Sequence, residues 1–315
     1  YFFDESIEIL KSVGFSYVVK FDGEKLYKQS LNGGFSCPNR DGTLGTEGCT
    51  FCDNAAFHPG YTGGKSITGQ IDDGIAFNAS RNPQGTGYLA YFQAFSNTYA
   101  SLEVIRKRYE EALAHPLVEG LVIGTRPDCI DSGKLDYLES IKDRGKIVEV
   151  ELGVESVYDS TLSRVRRGHD FATSCKAIKE TAAHGLDVGA HMIIGLPGED
   201  REMSIAMIDK INRLPISSIK FHQLQILKGT RMEEEYKEHP EDFMRMDAER
   251  YIELLADMIE RLRPDIGVAR IASSVPPRFT DAPWGLLRHD ALSMMLEKCL
   301  AGRGSRQACR YRQQI

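Results

Sequence analysis

The sequence predicts an α/β protein: a parallel sheet of about six strands, joined by helical crossovers and curled toward a barrel. Two observations lead there. From residue 27 to residue 227, short β-branched or aromatic runs alternate with helix-patterned stretches about six times, the rhythm of a parallel sheet built from right-handed crossovers. One of these runs, 146–155, alternates acids with aliphatic residues in the way the wall of a barrel would.

In chain order, strands fall near 27–33, 87–94, 119–125, 146–154, 186–195 and 217–227, and helices near 67–80, 101–114, 132–144, 170–184 and 200–213. Gly185 follows the fourth helix as a C-cap should, and Pro215 stops the fifth. After Leu227 the pattern changes. Residues 232–253 carry nine acids against three bases, which reads as a solvated helix pair leading into a helix that ends near Arg263-Pro264. Residues 298–315 hold five bases and no acid. The organisation expected is an N-terminal segment over 1–30, a barrel over 31–230, and a mostly helical extension with a basic tail over 231–315.

In the run 146–155, Glu149, Glu151, Gly153 and Glu155 share one face and Val148, Val150, Leu152 and Val154 the other. Helices cover the outside of a parallel barrel, so the aliphatic face points outward. The carboxylates then point into the lumen, where an unpaired charge costs several kcal/mol. A lumen that accepts them is expected to be partly open and filled by a ligand. The alternative is an edge strand of an open sheet with one wet face.

A chain of 315 residues with 42% hydrophobic residues excludes intrinsic disorder and a disulfide-stapled miniprotein. Lys and Arg number 39 against 45 Asp and Glu, and the net charge of −6 excludes a globally basic nucleic-acid coat while leaving room for a local basic patch. No run approaches the roughly 18 apolar residues of a membrane span, and no signal-peptide pattern opens the chain, so no membrane partner is expected. Seven cysteines are an odd, sparse count that suits a cytoplasmic location.

Three of the seven lie within sixteen residues, as Cys37, Cys49 and Cys52 in the spacing Cys-x11-Cys-x2-Cys. A Cys-x2-Cys pair lets two thiolates converge on one centre, and the glycine-rich loop lets the third reach it. Three thiolates suit a four-iron cluster with one iron left open, whereas structural zinc takes a closed set of four. His58, six residues after Cys52, would complete a Cys3His zinc site and with it a non-enzymatic binding module. On spacing alone both remain open. Cys129, Cys175, Cys299 and Cys309 read as structural thiols.

Six stretches at successive strand ends carry a resemblance. They are Gly34-Phe35-Ser36-Cys37-Pro38-Asn39-Arg40-Asp41-Gly42, Tyr91-Phe92-Gln93-Ala94-Phe95-Ser96-Asn97-Thr98-Tyr99, Gly124-Thr125-Arg126-Pro127-Asp128-Cys129, Glu151-Leu152-Gly153-Val154-Glu155-Ser156, Arg167-Gly168-His169, and His191-Met192-Ile193-Ile194-Gly195-Leu196-Pro197-Gly198-Glu199. Together they resemble the radical S-adenosylmethionine (SAM) superfamily, within it the YhcC/YtqA-like group, and more distantly the radical domain of elongator-type acetyltransferases. The commonest loop of the superfamily is Cys-x3-Cys-x2-Cys, and the gap of eleven here departs from it. The resemblance implies a partial (β/α)6 TIM-like barrel with its ligands at the strands' C-terminal ends. It also implies a 4Fe-4S cluster whose open iron chelates SAM, and reductive cleavage of SAM to a 5′-deoxyadenosyl radical.

By motif, the resemblance implies that Cys37, Cys49 and Cys52 hold the cluster and Phe51 packs near the adenine. Gln93 and Ser96-Asn97-Thr98 correspond to the site of the SAM amino group. Glu151, Glu155 and Ser156 lie where the family contacts ribose. Arg167 is the choice for the SAM carboxylate, since a guanidinium fork matches a carboxylate, with Arg164 and Arg166 as rivals. Gly195 would let backbone approach the adenine, and Leu224 would pack against it. Arg126, Asp128, His191 and His222 are polar strand-end residues that could face substrate; Arg126 and Asp128 equally suit a structural pair. Members of the group are linked to conversion of carboxymethylaminomethyl-uridine to aminomethyl-uridine at the tRNA wobble position, and an anticodon base can be splayed out and read along its edge. Arg303, Arg306, Arg310 and Arg312 could hold phosphates, or belong to a frayed terminus. A small metabolite or peptide is the alternative substrate. A low-potential cluster calls for a flavodoxin- or ferredoxin-like electron donor.

Overall fold

The computed structural model describes residues 26–53, 64–79, 87–273, 275–281, 283–285 and 289–312. Seven strands form one sheet in sequential order, each parallel to its neighbours. They are β1 (Tyr27–Leu31), β2 (Tyr88–Phe92), β3 (Val118–Thr125), β4 (Ile147–Glu155), β5 (Asp187–Ile194), β6 (Ser218–Gln223) and β7 (Gly267–Arg270). Because every crossover steps to the next position in the same direction, the twisted sheet curls into a half-barrel instead of lying flat.

The crossover helices are α1 (Ile67–Asn78), α2 (Leu102–Leu113), α3 (Ser132–Asp143), the short α4 (Asp159–Arg164), α5 (Phe171–Ala183) and α6 (Arg201–Ile211). Their starts are written locally. Ser66, Ser101, Asp131, Asp170 and Asp200 each accept a hydrogen bond from a backbone N–H of the first turn, a cap worth about 1 kcal/mol. Val148, Val150, Leu152 and Val154 are buried under these helices in the main core, which confirms the outward direction of that face. The strand is central, between β3 and β5, so the edge-strand alternative is excluded.

Two features beyond Leu227 differ from expectation. A seventh strand, β7, extends the sheet beyond β6; its four residues are too few to show an alternation. The acidic stretch splits into α7 (Arg231–Glu238), which is solvated, and α8 (Ala248–Arg261), which is not. Tyr251, Ile252, Leu254, Leu255, Met258 and Ile259 form a helical stripe buried against the core, outweighing the acids on the other face. The final helix, α9 (His289–Arg303), packs on α8. Its last arginine and Arg310 reach back to Glu260, whose side chain is fully buried.

Candidate active site

The strands' C-terminal ends and the loop after β1 enclose one cleft. Its wall includes Cys37, Cys49, Cys52, Phe51, Gln93, Arg126, Glu151, Glu155, Arg167, His191, His222 and Leu224. Arg40 and Tyr91, which the motifs contained without a role assigned, join them with Lys220, Arg270 and Ser273.

The cysteine loop is held by its own backbone and by two neighbours. The N–H groups of Arg40 and Asp41 donate to the Cys37 carbonyl at 2.8 and 3.2 Å, and Cys52 N–H donates to the Cys49 carbonyl at 3.0 Å. Gly48 has φ +82°, and a Cβ there would lie 3.0 Å from the Arg40 guanidinium, which in turn donates to the Cys52 carbonyl at 2.6 Å. Asn39 Nδ2 lies 3.3 Å from Cys49 Sγ and donates to the carbonyls of Arg166 and Arg167 at 2.9 and 3.1 Å. It therefore locks the cysteine loop to the turn after α4. Asn39 lay inside the quoted motif, but its role depends on a residue more than a hundred positions away.

That turn sorts the three arginines. Arg164 pairs with Glu235 and Asp242, and Arg166 with Glu47. Only Arg167 of the three lines the cleft. It donates to the Gly153 carbonyl at 2.7 Å, reaches Cys49 Sγ at 3.6 Å and faces Glu155 at 3.4 Å. Its Nε is buried with no hydrogen-bond partner. One buried donor is thus left over for a ligand.

Burial and the neighbouring Cys49 push the Cys52 thiol up to about 11, against the pull of Arg40. Thiols in that state give up their protons to a strongly charged centre. The donor spacing bears on which centre fits. Thiolates about 2.3 Å from one zinc ion stand roughly 3.8 Å apart. Among the described residues, only Asp136, Glu139 and His184, on the outer helices, bring three ligand atoms within 4.8 Å of one another. The three cysteine sulfurs do not form such a set. His58 lies outside the described residues.

Below the cysteines the lumen holds a buried ion network. Glu151, 1% exposed, accepts from Lys28 at 2.8 Å, Lys220 at 2.6 Å and His191 at 2.9 Å. Lys28 also pairs with Glu149 at 2.7 Å, and Glu149 accepts from Ser218 at 3.0 Å. Lys220 lies 4.8 Å from the Tyr91 ring centroid, and the rings of His191 and His222 are 5.5 Å apart. Burial opposes the charge on Glu151, but Lys220 and Lys28 outweigh it and hold the carboxyl well below its usual range. Burial pulls Lys220 down to about 8 despite Glu151. Burial and His191 push His222 well below the ordinary histidine value.

The other expected residues take different places. Glu151, expected at a ribose, has both oxygens engaged in the network. Ser96, Asn97 and Thr98 are buried away from the cleft. Ser96 and Thr98 share the Thr125 hydroxyl at 2.9 and 2.6 Å, and Asn97 Nδ2 donates to the Phe92 and Gly124 carbonyls at 2.9 and 2.7 Å. These bonds tie the end of β2 to β3, and Asn97 Oδ1 is left buried without a partner. Arg126 and Asp128 form a bidentate pair at 2.9 and 2.7 Å, leaving Arg126 Nη1 buried without a partner. Ser156 donates to Glu199. Gly195, at φ +88°, lies under Met246. Phe51 and Leu224 meet in one apolar cluster beside the cleft.

A cysteine loop over the C-terminal ends of a curled parallel sheet places the chain among radical SAM enzymes, and the sequence comparisons agree. The family model described as the radical SAM superfamily matches residues 40–211, and that of the radical SAM C-terminal domain matches residues 216–299. The chain belongs to this superfamily, which sets aside the non-enzymatic zinc module. It is 37% identical to YtqA of Bacillus subtilis over 288 residues, 90% of this chain and 88% of the relative. It is 38% identical to YhcC of Escherichia coli over 252 residues, 80% of each. A tRNA uridine(34) acetyltransferase of Methanocaldococcus jannaschii is 31% identical over 141 residues, 44% of this chain and 25% of that one. Among solved structures, an N-terminally truncated Elp3 of Methanocaldococcus infernus shares the fold, with TM-score 0.68 and 18% identity over 90% of this chain and 64% of that one.

Proposed function

We propose that Cys37, Cys49 and Cys52 hold a 4Fe-4S cluster with one iron open to SAM, and that the enzyme acts on a tRNA wobble uridine, converting its carboxymethylaminomethyl group to aminomethyl. The observation that carries the first part is the convergence of Cys37, Cys49 and Cys52 on one cleft wall with Arg167, whose buried Nε has no partner. When bound, the pair supplies a hydrogen-abstracting radical from one-electron cleavage of SAM. The chain's own residues do the rest. Arg167 offers its spare N–H to the SAM carboxylate. Phe51 and Leu224 present an apolar wall for the adenine, and Asn39 and Arg167 direct N–H groups at Cys49, favouring its thiolate. The ion network below forms a rigid, water-poor floor.

Similarity to a tRNA uridine(34) acetyltransferase supports the nucleoside substrate, and the overall acidic charge argues against a large RNA footprint. A flavodoxin- or ferredoxin-like protein would supply the electron. No described helix is long and apolar enough to cross a membrane. Nucleoside profiling of tRNA from a deletion strain tests the substrate. The carboxymethylaminomethyl form should accumulate at the expense of the aminomethyl form. An unchanged wobble profile rejects tRNA and leaves a small metabolite or peptide as the substrate.

A further inference from the structure

Among the described residues, the lumen charges match one another with a single exception. Lys28 has Glu149 and Glu151, and Lys220 shares Glu151. Higher up, Arg126 has Asp128, Arg167 has Glu155, and Arg40 lies on the Cys52 carbonyl. Arg270 also lines the cleft, yet among the described residues no carboxylate or carbonyl is paired with its guanidinium.

Its position follows from the register. Gly153, His191, Lys220 and Arg270 stand in one row across β4, β5, β6 and β7. Cross-strand neighbours share a face, and Lys220 points into the lumen, so Arg270 does as well. Its charge acts on Tyr91, Lys220 and His222, which places the guanidinium over the network. Glu149 and Glu151 cannot turn to it without abandoning Lys28 and Lys220. At the far end of the row, the space beside Gly153 is taken by Glu155 and Arg167, a pair already matched to each other.

We propose that Arg270 is the anion anchor of the substrate subsite: it binds a carboxylate carried by the substrate and so selects substrates with an acidic side arm. The inference rests on the cleft being the reaction chamber and deepens that reading by naming the substrate's charge. It fits a carboxymethylamino group, whose carboxylate would supply the partner Arg270 lacks. A cation half-buried in a lumen and left unpaired is costly, and the substrate's arrival would relieve it.

The test uses the anaerobic, cluster-loaded protein and N-methylglycine, the smallest alkylaminoacetate, with N-methylglycinamide and inorganic phosphate as controls. The wild type should bind the acid at least tenfold more tightly than the amide or phosphate, and Arg270→Gln should abolish that preference while Arg270→Lys keeps part of it. SAM affinity should be the same in all three proteins. Equal binding of acid and amide by the wild type overturns the proposal. So does an undiminished preference in Arg270→Gln, a preference for phosphate, or a parallel loss of SAM binding. A second arm compares tRNA bearing carboxymethylaminomethyl-uridine with tRNA bearing aminomethyl-uridine. If neither tRNA binds while the N-methylglycine preference holds, the anchor stands and the wobble-uridine reading falls.

Discussion

Glu151 shows how far a single residue could be read. Alternation along the strand placed it in the lumen, and there it is. Its partners were beyond reach, because Lys28 lies on β1 and Lys220 on β6 and only strand order brings them together. Removing it strands two buried ammonium groups. Glu151→Ala should therefore cost about 3–5 kcal/mol, measured by chemical denaturation, and Lys220→Met added to it should recover part of that loss. No change in the midpoint would mean the network contributes nothing to stability. Glu199 offers a pH test. Burial raises its carboxyl from 4.5 to about 7, and one oxygen has no partner. The folded state then holds a proton that the unfolded state releases, so stability falls as pH rises from about 4.5 through 7 and is flat above. Glu199→Gln removes that slope. Its advantage over wild type should grow across this window to about 3.5 kcal/mol, at about 1.4 kcal/mol per pH unit, read from denaturation midpoints at several pH values. A constant gap contradicts the assignment. Ser96, Asn97 and Thr98 mark the limit of the motif reading: a hydroxyl or amide at a strand end serves a ligand or the next strand equally well, and their bonds to Thr125, Phe92 and Gly124 lie beyond the motif's reach.

At the scale of elements, the βα rhythm was legible because crossover helices carry caps and strands carry long apolar runs. β7 was not, since four residues have no pattern of their own and depend on pairing with β6. The short α4 escaped for the same reason, and with it the separation of Arg164 and Arg166 from Arg167. The β4 end is tightly packed. A Cβ on Gly153 would lie 2.5 Å from Glu155 Oε1 and 2.6 Å from Arg167 Nη2, and Glu155 itself has φ +67°. Gly153→Ala must push Arg167 away from the cleft. The expected result is a tenfold or greater loss of SAM cleavage with iron content per chain unchanged. Loss of iron together with activity would instead make Gly153 a support of the cysteine loop.

For the whole molecule, the basic tail is the clearest revision. Composition alone left Arg303 and Arg310 free for phosphates, but both fold back on Asp257 and Glu260. Sequence could not show this, because nothing in the pattern before Arg263-Pro264 marks Glu260 as buried. Replacing both arginines with glutamine should lower stability by about 3 kcal/mol, as loss of partners to a buried carboxylate does. The salt dependence of tRNA binding should stay the same. A shallower salt slope with stability intact would return the tail to the RNA.

The central claim is that three cysteines hold a cluster with a vacant iron. Mössbauer and EPR spectra of anaerobically reconstituted protein, recorded with and without SAM, test it most directly. Such spectra should show about four irons per chain, a reduced-state EPR signal that SAM alters, and loss of both when Cys37, Cys49 and Cys52 become alanine. A colourless protein with stoichiometric zinc, or a cluster signal indifferent to SAM, would contradict it.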